Sequence, residues 1–523
     1  MYTRQGSGLG HFETIILGAG MSGLCVAARL KSAGMTNFVI LEKAHGVGGT
    51  WRDNTYPGVA CDVPSHLYSF SFSPNPDWRS AYASGPEILA YCEQVARRCG
   101  LIDHLRPDCL VRSARYLEDC ADSQDSADSQ DSADGPSWEV ELDGGRTLTG
   151  NNLVVALGGL HVPAWPEIEG IGTFGGDYFH SARWNHSVDV EGKRVALIGT
   201  GASSVQITPA IAPTASHLTV YQRTPAWVLP RGDYRFTDGQ RRRFRDMPLW
   251  HRLYRLLIYA RMEALGVQYI RKHSYAQQLV RRLAESTIAR VVTSPSLRRC
   301  LTPDYAVGCK RTCLSDDYLP AFNRPDVTLV TDEIARITAA GIEDREGNHH
   351  DHDVIVFATG FKPFNVSGQV DIRGRNNLSL AQAWDRGARA HRTMMIPDFP
   401  NLFVMLGPNS GLGHTSVILM IEAQARYLMG CLSLKRRRGV RELAPKAGAL
   451  QRYDSRLQQA LGKTVFGSGC GAWYTDEADR NFTLWPYSTI RYFLEMWGPR
   501  SAEFEMQYAA RGSGNPRPGH RES

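Results

Sequence analysis

The sequence has no CxxC pair, no zinc-ligand spacing and no uninterrupted apolar stretch of eighteen residues. The first lack excludes a dithiol redox centre, the second a structural zinc module, and the third a membrane span. No metal is expected anywhere in the chain. Its eleven cysteines are scattered, Cys309 and Cys313 coming closest as CxxxC, and the pattern predicts free thiols in a reducing cytoplasm. A strong excess of one charge is also missing, with 59 Lys and Arg against 53 Asp and Glu. A nucleic-acid partner is therefore not expected. The two basic runs, Arg241 to Arg245 and Lys435 to Arg438, read as solvated helix faces. Near the start, the short apolar run from Ile15 leads into a glycine turn at Gly18 to Gly20 rather than a cleavage site, so no signal peptide is expected.

What is present is a duplication. At 523 residues, 42% apolar and 21% charged, the chain is long enough for two or three cores. Two segments about 180 residues apart, counted from the sequence, read as strand, glycine turn, helix, strand: Thr14 to Leu41, and Arg194 to Tyr221. The expected fold class is α/β, with two Rossmann-like dinucleotide-binding domains and a helical insertion at about 238–292 in the second. The boundaries read as 1–158, 159–360 and 361–523, the last returning to the first domain. The acidic repeat at 121–135 cannot enter a core and is expected at the tip of a hairpin between Val111–Tyr116 and Trp138–Leu142. Strands resume at Val327–Val330 and Val354–Phe357.

A dinucleotide pyrophosphate needs bare backbone and a helix N-terminus with free amides. GAGMSG offers both through Gly18, Gly20 and Gly23, and Glu42 ends the next strand, where a carboxylate can accept from ribose hydroxyls. That pattern points to FAD. The second turn, GTGASS, keeps Gly199 and Gly201, with Thr200, Ala202 and Ser203 between and after them and the small Ser204 in the third position. Its second strand is followed by Arg223 and Thr224 where an NAD site would place a carboxylate, and a guanidinium there pairs with a 2′-phosphate. That points to NADPH, and two such sites in one chain imply hydride transfer from NADPH to a flavin able to react with oxygen.

The stretch FGGDYFHSARWN carries FxGxxxHxxxW through Phe174, Gly176, His180 and Trp184, and GGTWRDNTYPGVACD runs from Gly48 to Asp62. Together with QRTP (222–225), CKR (309–311), ATGF (358–361), DIRGR (371–375) and GPNSGLGHTS (407–416), these resemble the signatures of type I Baeyer–Villiger monooxygenases over nearly the whole chain. One departure is Asn185, where that family usually has Pro or Asp after the fingerprint Trp.

The resemblance implies an enzyme that uses FAD, NADPH and O2 to insert oxygen beside a ketone through a C4a-peroxyflavin, giving an ester or lactone. It implies Arg311 as the catalytic cation, a buried guanidinium oriented by Asp62, and FAD contacts at Thr50, Trp51, Arg52, Asp53, Asp62, Tyr68 and Val111. It places Ala60, Cys61, Asp62, Lys310, Arg311 and Trp473 on NADP, with Lys310 joining Arg223 and Thr224 at the 2′-phosphate. His180 and Trp184 would brace the hinge between domains. The alternative within the same frame is a flavin-dependent N- or S-oxygenase, against which Trp184 and Arg311 argue. A dithiol reductase lacks its thiol pair, and a flavin-binding scaffold without turnover would leave its flavin unbleached by NADPH. The identity of the ketone and the oligomeric state are not legible in the sequence.

Overall fold

The computed structural model describes residues 8–118, 137–363, 366–470, 474–476 and 480–508. Two sheets organise it. In the first, strand Gly8–Leu17 lies between Phe38–Leu41 and Thr147–Val155, all parallel in register, with Leu105–Arg106 beyond Phe38–Leu41. Phe38 to Leu41 is apolar at every position because both faces of this strand are covered. The N-terminal half of Thr147–Val155 turns antiparallel to Ser137–Leu142, which pairs antiparallel with Val111–Leu117. This is the expected hairpin; its acidic tip, 121–135, lies outside the described residues. Strands Asp371–Arg373 and Leu402–Val404 join the same sheet from the last third of the chain.

The second sheet is wholly parallel, in the order Val327–Val330, His217–Tyr221, Arg194–Ile198, Val354–Phe357, Asp177–His180. Its expected strands are present. A three-stranded antiparallel sheet (Ile334–Ile337, Gly341–Asp344, His349–Asp351) between two of them was not foreseen, since these short half-buried runs carry too little alternation to register as strands.

The insertion is helical as expected: Asp238–Asp246, Pro248–Tyr269 and Tyr275–Val291, followed by Pro295–Leu301. Local chemistry starts these helices. Thr237 and Gln240 form a reciprocal capping box, Ser274 and Ser294 accept from the amides of Gln277 and Leu297, and Pro248 and Pro295 occupy first-turn positions.

Helix Val417–Arg438 is, among the described residues, the one helix long and apolar enough to cross a membrane, but 72% of its apolar window is buried inside the protein, where it packs on Met21–Ser32. Its end corrects the reading of the second basic run as a solvated face. Lys435 points inward, is buried, and donates to Asn152 Oδ1 at 2.7 Å, while Arg436 to Arg438 face solvent.

The expectation of free thiols is likewise corrected, because Cys309 and Cys470 form a disulfide across 161 residues. Spacing along the chain cannot reveal a pairing made by two segments that meet only in the folded state.

Candidate active site

The first glycine turn is shaped by close approaches that only glycine permits. Gly18 has φ +102°, and a Cβ on it would stand 2.7 Å from Ala156 O; one on Gly23 would stand 1.9 Å from Gly18 O. Gly20 caps helix Met21–Ser32 without a side chain, so the first-turn amides face the turn unshielded. Glycine at 18 and 23 lets the backbone close up on itself, and the bare Gly20 leaves the helix start open to a pyrophosphate.

Glu42 is buried beside this turn, accepting from Ala19 N at 2.8 Å and Ala44 N at 3.0 Å. Arg52 also stands 3.4 Å from Glu42 Oε1, while Oε2 keeps a further lone pair, so the expected ribose contact is compatible with this role as a brace.

The GGTW element leans directly on the turn, a Cβ on Gly49 falling 3.1 Å from Gly20 Cα. From there runs the short helix Thr50–Asp53. Trp51 donates its indole N–H to the Tyr68 hydroxyl at 3.1 Å, and Arg52 Nε donates to Asp53 Oδ1 at 2.8 Å. Burial alone would raise the Asp53 carboxyl, but bonds from His161 and Arg52 outweigh it and hold it down to about 2. Val111 is buried at the start of its strand and packs in the cluster that holds Leu17 and Leu41.

In the second turn Gly199 has φ +118° and a Cβ there would meet Ala358 O at 2.5 Å, the alanine of ATGF. Thr200 donates to Thr224 O at 2.6 Å, tying the turn to the segment after strand His217–Tyr221. Helix Ala202–Ile211 begins at Gly201, again without a side-chain cap, and Ser204 is fully buried, as a third small residue must be for helix to pack on strand.

Arg223 and Lys310 stand close enough that burial and then the Arg223 charge lower the Lys310 ammonium from its ordinary range. Two cations brought together in this way suit a doubly charged anion such as a 2′-phosphate. Lys310 also lies 5.1 Å over the Tyr305 ring.

The next residue, Arg311, pairs with Asp62. The carboxylate raises the guanidinium's affinity for its proton; burial would raise Asp62, but Arg311 holds it below the usual carboxylate range. The Arg311 side chain is 45% exposed and its guanidinium reaches Asp62. Ala60 and Cys61 lead into Asp62, and the Cys61 carbonyl accepts from Arg231 at 3.0 Å.

The fingerprint residues do not reach this pair. Strand Asp177–His180 is the edge of the second sheet. Gly176 is required there, since a Cβ would stand 2.4 Å from Asp353 O, and Phe174 packs buried beside it. His180 is fully buried, its Nδ1 accepts from Ala182 N at 3.1 Å, and burial lowers it to about 4, so it is neutral at working pH. Trp184 packs edge-on against Phe179 and, with Arg183, lines a cavity of about 510 Å³ whose other wall includes Arg52 and Asp53. Fingerprint and first signature therefore face each other across one cavity. Trp473 lies outside the described residues.

Sequence reasoning missed Gln206 and Tyr56. Gln206, on helix Ala202–Ile211, donates to Ala60 O at 2.9 Å and accepts from Tyr56 OH at 3.0 Å, so the helix of the second turn grips the loop that carries Asp62. A lone amide in the apolar run ASSVQITPAI was the available signal.

Comparison with known proteins agrees with this geometry. Residues 13–368 match the family described as flavin-binding monooxygenase-like. The chain is 40% identical to a Baeyer–Villiger monooxygenase of Streptomyces coelicolor over 498 residues, covering 95% of this chain and 93% of that one. Among solved structures, oxidized steroid monooxygenase bound to NADP superposes with a TM-score of 0.82 at 30% identity, covering 95% of this chain and 100% of that one. The OTEMO complex with FAD and NADP gives 0.81 at 27%, covering 95% and 99%. Two glycine cradles, a paired cation site and an Asp–Arg pair between them thus occur in a chain that belongs to the flavin-binding monooxygenase-like family, as one of its FAD- and NADPH-dependent Baeyer–Villiger monooxygenases.

Proposed function

We propose that the Asp62–Arg311 pair is the reactive centre at which a ketone is converted to its ester or lactone, with the Gly18 turn holding FAD and the Gly199 turn holding NADPH. The overall reaction consumes one ketone, one O2, one NADPH and one proton, and yields ester, water and NADP+. When bound, FAD would take hydride from NADPH and activate O2, one atom of which is inserted while the other leaves as water. The chain's own residues bind, orient and stabilise charge. Arg311 stays protonated at any working pH and offers a fixed positive charge to oxygen anions. Asp62 fixes the direction of that guanidinium. Arg223, Thr224 and Lys310 hold the 2′-phosphate, and because Lys310 adjoins Arg311, occupancy of the phosphate site positions the reactive cation. Thr50 to Asp53, Tyr68 and Val111 wall the flavin, and His180 and Trp184 brace the segment between the two units. The same reading places the enzyme in the cytoplasm, where NADPH is regenerated.

One observation carries the proposal: Asp62 and Arg311, 249 residues apart, are brought into contact between the two nucleotide turns. The test is a panel of cyclic and aryl ketones, amines and sulfides, followed by NADPH consumption and product mass. Ester formation supports the reading, whereas oxidation of amines or sulfides with no ester would refute it.

A further inference from the structure

The helical insertion turns apolar side chains outward. On Pro248–Tyr269, Leu249, Leu253, Leu256 and Leu257 fall on one stripe together with Ala260 and Ala264, and all are exposed, Leu249 by 77% and Leu256 by 56%. His251, on the opposite side, and Glu263, which borders the stripe two turns after Leu256, are buried, as is Gly266. Helix Tyr275–Val291, which packs against this one, repeats the pattern with exposed Tyr275, Leu279 and Leu283 at intervals of four. Helix Thr489–Glu495 is pinned alongside: the buried Glu263 carboxylate accepts from the Thr489 amide and hydroxyl, both at 2.6 Å. It adds exposed Ile490 and Leu494, and Trp497 just beyond it is 64% exposed. Single surface leucines are ordinary, but rows of them on adjoining helices mark an interaction surface.

Charge selects the partner. Residues 238–290 contain twelve Lys and Arg against four Asp and Glu, whereas the whole chain has an excess of only six. This segment therefore carries more than the entire net positive charge, and the rest of the chain is net negative. Arg252 and Arg261 flank the leucine stripe; they, Arg242, Arg243 and Arg282 are exposed with no ion-paired carboxylate among the described residues. Two copies meeting through this face would oppose like charge. An anionic lipid surface satisfies both halves, taking leucines below the headgroups and arginines at the phosphates. We propose that the insertion docks the enzyme peripherally on an anionic lipid surface. The docking helix ends at Tyr269, whose hydroxyl bonds Thr312, next to Arg311. The lipid side and the reactive centre are therefore linked by one rigid element.

The test is flotation of the flavin-loaded enzyme with vesicles of phosphatidylcholine alone, and with phosphatidylglycerol added at a ratio of about 7:3. Binding is expected only to the mixed vesicles and is expected to weaken with salt. Leu253→Asp with Leu257→Asp should lower the partition coefficient by about 100-fold or more, with flavin content and turnover of a water-soluble ketone unchanged. Arg252→Ala with Arg261→Ala, which removes no apolar area from the stripe, should weaken binding and flatten its salt dependence. Failure to float with the mixed vesicles would overturn the proposal. Equal flotation of wild type and both variants would overturn it too. So would a dimer in sedimentation velocity that the leucine substitutions dissociate, since a second copy would then cover the stripe.

Discussion

The Arg311 guanidinium and the Asp62 carboxylate form an ion pair that joins the unit of the second glycine turn to the unit of the first. Neither side chain is held there by its neighbours in sequence. Asp62 is set by Gln206, which grips Ala60, and by Arg231 on the Cys61 carbonyl; Arg311 follows Lys310, which stands near Arg223. On the proposed reading both cofactor sites converge on this pair. Arg311→Ala should leave reduction of the flavin by NADPH within a few-fold of wild type, because the turns and Arg223 are untouched. Ester formation should fall by about 100-fold or more, the scale for removing one fixed stabiliser of an anion. Stopped-flow bleaching of the flavin beside product analysis separates the two effects, and persistence of ester at a comparable rate would remove Arg311 from the reaction.

Arg223 and Lys310 are held close enough that the Arg223 charge acts on the Lys310 ammonium, and on the proposed reading a 2′-phosphate relieves that repulsion. Arg223→Gln should raise KM for NADPH by roughly 10- to 100-fold, the loss expected for charge-assisted hydrogen bonds. KM for NADH should change by less than about two-fold. Steady-state kinetics with both nucleotides decide it, and equal changes would place the 2′-phosphate elsewhere.

The Cys309–Cys470 bridge closes a loop of 161 residues, and such a closure contributes about 2–5 kcal/mol. Thiol titration of the denatured protein, before and after reduction, should differ by two thiols. Cys309→Ser should lower the thermal midpoint of the oxidised protein towards that of the reduced one. Eleven free thiols before reduction would show that the bridge does not form in solution.

Lys435 gives a pH signature. Burial lowers its ammonium to about 7 in the folded protein, whereas in the unfolded chain it titrates near the ordinary ~10.4. Between those values the unfolded state binds the additional proton, so stability rises with pH from about 7 to about 10 and is flat below. Lys435→Met removes this dependence. From pH ~7.5 to pH ~9 the wild type should gain roughly 1–2 kcal/mol relative to the variant, measured by urea unfolding at both values. A constant difference would show that Lys435 keeps an ordinary affinity for its proton.

Much of the frame was legible because it is written in local backbone demands. Gly18, Gly23 and Gly199 announce turns that no side chain survives, Phe38–Leu41 and Val354–Phe357 announce strands covered on both faces, and Thr237, Ser274 and Pro248 announce helix starts. Two readings failed where an outcome depended on distant partners. Lys435 ends a basic run that looked solvated, yet Asn152 draws it inward; Cys309 looked unpaired until Cys470 met it.

The sequence by itself determined the two glycine turns, the strands around them and the kind of anion each prefers, because these follow from sterics and charge within a few residues. Only the tertiary structure decided that Asp62 meets Arg311, that Gln206 holds the loop carrying Asp62, and that the insertion shows leucines to the outside. Those contacts join segments far apart along the chain, and their energies depend on packing and desolvation that exist only once both sheets are in place.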